Sequence, residues 1–319
     1  MNVLITGGYG FVGSALSLLL ARRGDCRVTV LDNLMSGSRL LLPNISFIRG
    51  DIRDSQLLHT VVPNYDVVVH LAAIVGAPAC AIDPDFSERV NVGGTINVLA
   101  AMRPHQRLVY TSTSSVYGSV PSAARVHEEY EAVPINDYAR QKLRTENLVR
   151  NSRIPYTIFR PVTAFGVTER IRLDLLVNTM IYEALTARVI RLFEPEIIRP
   201  MIGVQDFARA LMLAALGAFP VNEVFNLGDP RFTVTKRELA SNIAALCNAQ
   251  VVEINESSLD PRNYFVDFGK LYLHGFRCES SGLREAVASV QAHLPELEKD
   301  PAAFSTPALV NAFLKREYV

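Results

Sequence analysis

The sequence predicts an α/β protein with a doubly wound parallel sheet and a smaller attached lobe, on three observations. Short apolar runs alternate with helical patterns through the first half of the 319-residue chain, as they do where helices cover both faces of a parallel sheet. The first run, Val3-Leu4-Ile5, breaks at Gly7 and Gly8 and passes at once into a helical pattern of Phe11, Ala15, Leu16, Leu18 and Leu19. The next run, Arg27 to Leu31, ends in Asp32, nineteen residues beyond Gly13.

Gly8-Tyr9-Gly10-Phe11-Val12-Gly13 stands between that first strand and its helix, the context a dinucleotide-binding G-x-G-x-x-G requires. Glycines there let the backbone approach a pyrophosphate, and the helix N-terminus offers free N–H groups and positive dipole. In isolation the motif would read equally well as a glycine-rich turn in an ordinary βα unit. Asp32 adds the second signal, because a carboxylate at that place suits the ribose diol of NAD and repels the 2′-phosphate of NADP. The expected sheet is therefore Rossmann-like and the expected cofactor NAD.

The remaining elements come in order along the chain. Ile45 to Ile48 reads as a third strand and Asp66 to Leu71 as a fourth. A long helix is expected over 83–102, a fifth strand from Arg107 to Thr111, a helix over 137–151 and a sixth strand from Tyr156 to Arg160. After Gly166 the rhythm loosens. Helices are expected over 173–185, 204–216 and 235–247, with short strands at 189–192 and 224–227. The expected division is residues 1–166 as the dinucleotide-binding half, rejoined by about 199–228, and residues 167–198 and 229–319 as a substrate-binding lobe over the carboxyl edge of the sheet.

Composition narrows the function classes. Apolar residues make up 49% and charged residues 20%, enough for a sizeable core in one large α/β domain or two smaller ones. Lys plus Arg equals Asp plus Glu, 32 of each, so nothing favours nucleic acid or an anionic membrane as a partner. No apolar run reaches membrane-spanning length, and Met1 leads straight into the first strand, so no signal peptide is expected. Cys26, Cys80, Cys247 and Cys278 show neither metal-ligand spacing nor a disulfide framework, which points to a reducing cytoplasm and to no metal.

The chemistry centres on Tyr138-Ala-Arg-Gln-Lys142. Asn136 or Asp137 can cap the helix, so Tyr138 and Lys142 fall on one face at i and i+4. An ammonium beside a phenol stabilises the phenolate and makes Tyr138 a usable base near neutral pH. The same Lys could hold the nicotinamide ribose. Spacing alone favours a common surface pair on an amphipathic helix.

Taken in order, eight stretches resemble the extended short-chain dehydrogenase/reductase family in its NAD-dependent nucleotide-sugar epimerase/dehydratase branch. They are Gly7-x-x-Gly10-x-x-Gly13, Asp32-Asn33-Leu34, Asp51-Ile-Arg-Asp54, His70-Leu-Ala-Ala73, Asn91-Val-Gly-Gly-Thr95, Thr113-Ser-Ser-Val-Tyr-Gly118, Tyr138-x-x-x-Lys142 and Arg160-Pro161. The resemblance covers nearly the whole chain and is clearest up to Gly166. It implies that Gly7, Gly10, Phe11 and Val12 hold the pyrophosphate, that Asp32, Asn33 and Ser36 take the adenosine ribose, and that Asp51 and Ile52 take the adenine. It further implies that Leu71, Ala72, Ala73 and Pro161, with Tyr138 and Lys142, line the cofactor cleft. Thr113 would hydrogen-bond the sugar hydroxyl at C4 while Tyr138 removes its proton and the C4 hydride moves to NAD, leaving a 4-keto sugar.

The fate of that ketone separates the branch's reactions. Dehydratases resembling this chain place Asp-Glu directly after the catalytic Thr, and decarboxylases of nucleotide glucuronic acids keep a Glu at the second position. Here Ser114 and Ser115 stand instead, and a serine hydroxyl has no accessible pKa for that role without a partner. The expectation is a 4-epimerase, in which the ketone turns over and is reduced on its other face. A 4,6- or 5,6-dehydratase using Cys80, Glu128 or Glu129 as replacement acid or base is the alternative, as is a 4-dehydrogenase or reductase. Cys80 reads more readily as a small loop or core residue.

The substrate half resembles the family less. Arg199 matches an Arg that clamps the diphosphate, Arg262 resembles a second one, and Asn178 resembles an Asn meeting the diphosphate after the sixth strand. Thr163 and Phe165 replace the family's Asn and Tyr, and Glu194-Pro-Glu196 stands where a Gly-rich turn is common. With Thr113, Ser114, Ser115 and Thr163, these residues form the expected substrate site for a nucleotide-diphosphate sugar. His70 reads as a satisfied core histidine, and residues 74–83 as a loop bending over the sugar. The helices over 83–102 and 137–151 carry Phe86, Val90, Leu143 and Leu148, which could be pure core; the family pairs these helices into a homodimer.

Overall fold

A computed structural model describes residues 1–36, 44–121, 124–256, 263–280 and 282–317. Its centre is a seven-stranded, wholly parallel sheet: β1 (Asn2–Thr6), β2 (Arg27–Asp32), β3 (Ser46–Arg49), β4 (Val67–His70), β5 (Arg107–Thr111), β6 (Tyr156–Pro161) and β7 (Glu223–Leu227). In space the order is β3-β2-β1-β4-β5-β6-β7. The chain winds outward from β1 to β3 and then returns to wind the other way from β4. The strand order therefore reverses between β1 and β4, the place where an open α/β sheet leaves a crevice at its carboxyl edge.

Alternation along each strand sends successive side chains to opposite faces, and both faces are dry. Val3, Ile5, Val30, Val69, Val109 and Phe159 pack on one side against Leu16, Leu20 and Leu211 from the Phe11–Ala21 and Val204–Ala215 helices. Leu4, Leu31, Val68, Leu108 and Ile158 pack on the other against Phe86, Val90 and Val98. Each such side chain contributes about 1.5–3 kcal/mol on burial, so the two sandwiches fix which way the strands face. β7 joins the central sheet beside β6, and Val204–Ala215 packs on a face of it.

The lobe has its own core, in which Val177 and Ile181 of the Leu176–Thr186 helix meet Leu239 and Ile243 of Lys236–Cys247 and Val287 and Val290 of Leu283–Leu297. Two of its strands are disguised in sequence. Ile198–Gly203 carries Pro200, and Asp229–Thr235 opens on Asp229-Pro230, yet they pair antiparallel around a register shift at Pro200/Met201. A bulge is where a strand tolerates a proline. Thr163–Phe165 completes this three-stranded sheet.

Two expected helices differ in detail. The helix over 83–102 is three continuous pieces, Pro84–Glu88, a π-helical turn Arg89–Gly93, and Gly94–Ala101. The wide turn carries Asn91, whose amide grips the backbone of Ile74. The helix expected from Leu173 starts at Leu176, because the Leu173 N–H donates to Phe304 C=O (2.8 Å) and Leu175 is still extended.

One buried ion pair ties the Asp137–Arg150 helix to the sheet. Arg160 on β6 forks onto Glu146 of the Asp137–Arg150 helix (Nη2···Oε1 2.6 Å, Nε···Oε2 3.1 Å), with both side chains essentially out of water. Its Nη1 donates to the Glu128 carbonyl and to the Tyr117 hydroxyl, which in turn donates to Asn226 on β7. Removing one partner of such a pair leaves a buried unpaired charge. Glu146→Ala is expected to cost about 3–5 kcal/mol of folding stability in urea denaturation, and a loss below about 1 kcal/mol would contradict this role.

Candidate active site

The crevice is built where β1 turns into the Phe11–Ala21 helix. Gly7 has φ +72°, and a Cβ there would lie 2.6 Å from the Ala72 nitrogen. A Cβ on Gly13 would lie 2.2 Å from the Gly7 carbonyl oxygen. The helix and the loop after β4 can approach this closely only because neither residue has a side chain. Gly10 begins the helix without a side-chain cap, so first-turn N–H groups stay available to an anion.

Asp32 closes β2 and is held by N–H groups of Tyr9 (3.0 Å) and Leu34 (2.8 Å). Burial pushes its carboxyl up from the ordinary range, and the two N–H donors work against that. Asn33 donates to Asp51 (2.9 Å). Burial opposes the charge of Asp51, but its hydrogen bonds, above all those from Arg53, outweigh it and hold the carboxyl low.

Opposite this end, Thr113 follows β5 and caps the short Ser114–Tyr117 turn, accepting from the Ser115 N–H (3.1 Å) and donating to the Ser115 hydroxyl (3.0 Å). The Asp137–Arg150 helix starts on Asn136, whose side chain accepts from the Ala139 N–H (2.9 Å), and this cap sets Tyr138 in its first turn. Lys142, one turn on, is buried, donates to the Thr111 carbonyl (2.8 Å) and lies 5.0 Å over the Tyr110 ring. Burial brings its ammonium down to about 8, with a small opposing pull from Cys80. A cation this poorly solvated acts strongly on a neighbouring phenol.

These two ends are walls of one cavity of about 380 Å³. Gly7, Gly10, Phe11 and Val12 line it, as do Asp32, Asn33, Ser36, Asp51 and Ile52. So do Leu71, Ala72, Ala73 and Pro161 beside Thr113, Ser114, Ser115, Tyr138, Lys142 and Thr163. The cradle at Gly7 and Gly13, the free helix N-terminus and the Asp32 carboxylate fit an NAD molecule laid across the crevice.

Asn178 and Arg199 lie elsewhere. Asn178 is fully buried, and its amide is spent on Gly166 N–H and C=O and on the Arg172 carbonyl, so it locks a loop instead of meeting a diphosphate. Arg199 is nearly buried on the lobe's strand and does not line the cavity. Arg262 lies outside the described residues. In their place the lobe presents Arg170, Arg172, Thr306 and Leu309 to the cavity, none of which sequence reasoning singles out. The only signal is two arginines flanking Ile171 just after Gly166, and nothing local marks such a pair as buried.

The candidate replacement acids are accounted for. Cys80 is buried against Ile74 and Asn91 and its thiol is pushed up to about 11, chiefly by burial. Glu128 accepts from the Asn226 N–H, Glu129 faces solvent, and neither lines the cavity. Among the described residues, the carboxylic acids lining the cavity are Asp32 and Asp51, both at the end away from Tyr138.

The family model for NAD-dependent epimerases and dehydratases matches residues 3–228. The chain belongs to that family. NAD is accordingly its cofactor, and the extended short-chain dehydrogenase/reductase branch is its place. It is 36% identical over 152 residues to a UDP-glucose 4-epimerase of Halalkalibacterium halodurans, a match spanning 46% of this chain and 45% of the relative. The chain thus spans less than half the length of that relative. It is 31% identical over 268 residues to a dTDP-glucose 4,6-dehydratase of Streptomyces niveus, covering 78% of each. The crystal structure of a Thermus thermophilus UDP-glucose 4-epimerase in complex with NAD superposes with a TM-score of 0.80 at 27% identity, covering 91% of this chain and 99% of that one. No helix of the described residues is long and apolar enough to cross a membrane.

His70, at the end of β4, is a core residue. The Thr95 hydroxyl gives its proton to the Asn91 carbonyl (2.6 Å), so it accepts from His70 Nε2 (3.0 Å), leaving Nδ1 to accept from Thr6 (2.7 Å). Burial, helped by the Lys142 charge, brings the imidazole down to about 3. The folded state therefore binds the proton more weakly than the unfolded chain. The stability this residue supports is complete above its ordinary value and lost as pH falls towards about 3. Between about pH 7 and about pH 5 the wild type is expected to lose about 2 kcal/mol more in urea denaturation than His70→Asn, and equal losses would contradict the assignment.

Proposed function

We propose that the protein is an NAD-dependent nucleotide-sugar 4-epimerase acting through a 4-keto intermediate. Bound NAD supplies the acceptor and donor of the C4 hydride. Thr113 orients the C4 hydroxyl, Tyr138 as phenolate takes its proton, and the buried Lys142 ammonium lowers the cost of that phenolate. Returning the proton from Tyr138 completes the reduction once the ketone has presented its other face.

The observation that carries epimerisation is the lack of a carboxylic acid at the Tyr138 end of the cavity among the described residues, with Ser114 and Ser115 beside Thr113. Eliminating water across the sugar needs a second acid and base near the ring. Hydroxyls alone give the ketone nothing to do but turn over or wait. The similarity to the Streptomyces niveus dehydratase over 78% of each chain favours one competing reading, a dehydratase. A homodimer through the helices over 84–101 and 137–150 belongs to the same reading; Ile96 is exposed on the first of them. So does a place in the cytoplasm.

The test is product analysis on a panel of UDP- and dTDP-sugars, followed by NMR and mass spectrometry. An epimerase gives a product of unchanged mass inverted at C4, with no net change at 340 nm. A product lighter by one water would establish the dehydratase instead, and a stoichiometric 340 nm signal a dehydrogenase. Tyr138→Phe is expected to slow turnover by about 10²–10⁴-fold while bound NAD is retained. A variant of undiminished rate would remove Tyr138 from the mechanism.

A further inference from the structure

Among the described residues, the lobe's wall of the cavity holds a guanidinium without a counter-charge of its own. Arg170 is only 5% exposed. Its Nε is buried with no hydrogen-bond partner, and Nη1 donates to the Ile171 carbonyl. The nearby carboxylate, Asp174, is already paired with Arg172. Phe304 lies 5.9 Å from the Arg170 guanidinium, which keeps solvent off it. Arg160, equally buried, shows the ordinary solution, a carboxylate fork on Nε and Nη2. Arg170 lines the cavity with no carboxylate on the corresponding pair of nitrogens among the described residues.

Resting on the nucleotide-sugar reading above, we infer that Arg170 is a substrate-binding residue that receives an anionic group of the sugar nucleotide. A planar guanidinium presents two parallel N–H donors matched to a carboxylate or a phosphate. Leaving such a charge buried and unpaired is costly, and a ligand oxyanion removes that cost on binding. Burial and the neighbouring Arg172 bring Arg170 down only to about 10, so it stays cationic at neutral pH. Two parts of the substrate carry the required chemistry: the diphosphate common to every nucleotide sugar, and the carboxylate of a sugar acid.

The test uses NAD-loaded wild type, Arg170→Met and Arg170→Lys, with calorimetric titration of UDP, dTDP, UDP-glucose, dTDP-glucose and UDP-glucuronic acid. Arg170→Met is expected to weaken binding about thirtyfold or more, with partial recovery in Arg170→Lys. Loss across all ligands places the guanidinium on the diphosphate, and loss confined to UDP-glucuronic acid places it on the sugar carboxylate. The ligand-free melting temperature of Arg170→Met should stay level or rise, since an unpaired buried charge has been removed; a fall of several degrees would make the residue structural and overturn the inference. Equal binding of every ligand by wild type and Arg170→Met would also overturn it, as would loss of NAD from the variant. Wild type that carries NAD yet binds none of the five would instead overturn the nucleotide-sugar reading, and this inference with it.

Discussion

At the carboxyl end of β1, three stretches of backbone meet with no room for a side chain. The loop after β4 comes within contact of Gly7, and the start of the first helix comes within contact of Gly7 again through Gly13. This close approach is what the site depends on. It brings the helix N-terminus, the end of β2 with Asp32 and the loop at Leu71–Ala73 to one crevice, with Thr113 and Tyr138 across it. A parallel sheet whose strand order reverses there has its backbone ends diverging, so the crevice is open by topology and needs only to be lined.

The far wall is positioned by polar groups placed inside the core. Asn91 bonds both the N–H and the C=O of Ile74 and passes a bond to Gln141 (2.7 Å), one residue from Lys142. The loop after β4 and the Asp137–Arg150 helix are thus joined through one satisfied network, which rigidifies what it connects. Arg160 and Glu146 do the same between that helix and β6. Lys142 and Arg170 are a different case, since both line the cavity and neither has a carboxylate partner among the described residues.

How much of this is legible in the sequence depends on how local each constraint is. Gly7, Gly13 and Asp32 answer to backbone geometry within one βαβ unit, and Tyr138 and Lys142 to one helical turn, so their spacing carries their placement. The lobe is different. Asn178 stands where the sequence leads one to expect a diphosphate ligand, yet its partners are Gly166 and Arg172, brought to it by packing that no spacing encodes. Pro200 and Asp229-Pro230 look like strand breakers until the bulge between their strands is known. Arg170 reads as one more arginine among 32 Lys and Arg residues; its burial without a carboxylate partner among the described residues sets it apart.

The same distinction bears on the chemistry. In the proposed reaction a phenolate at Tyr138 and a hydride partner suffice to make and unmake a ketone at C4, and both directions use the same groups. Diverting that ketone to loss of water requires a proton to leave the neighbouring carbon and another to reach the departing oxygen, and both transfers need groups whose pKa lies within reach. Among the described residues, the acids lining the cavity, Asp32 and Asp51, are bound to backbone, Asn33 and Arg53. Cys80 is held protonated by burial behind Ile74. The proposed epimerisation rests on this arrangement: among the described residues, Thr113, Ser114 and Ser115 line the cavity with Tyr138 and no carboxylic acid stands beside them, the condition under which a ketone formed there would turn over instead of losing water.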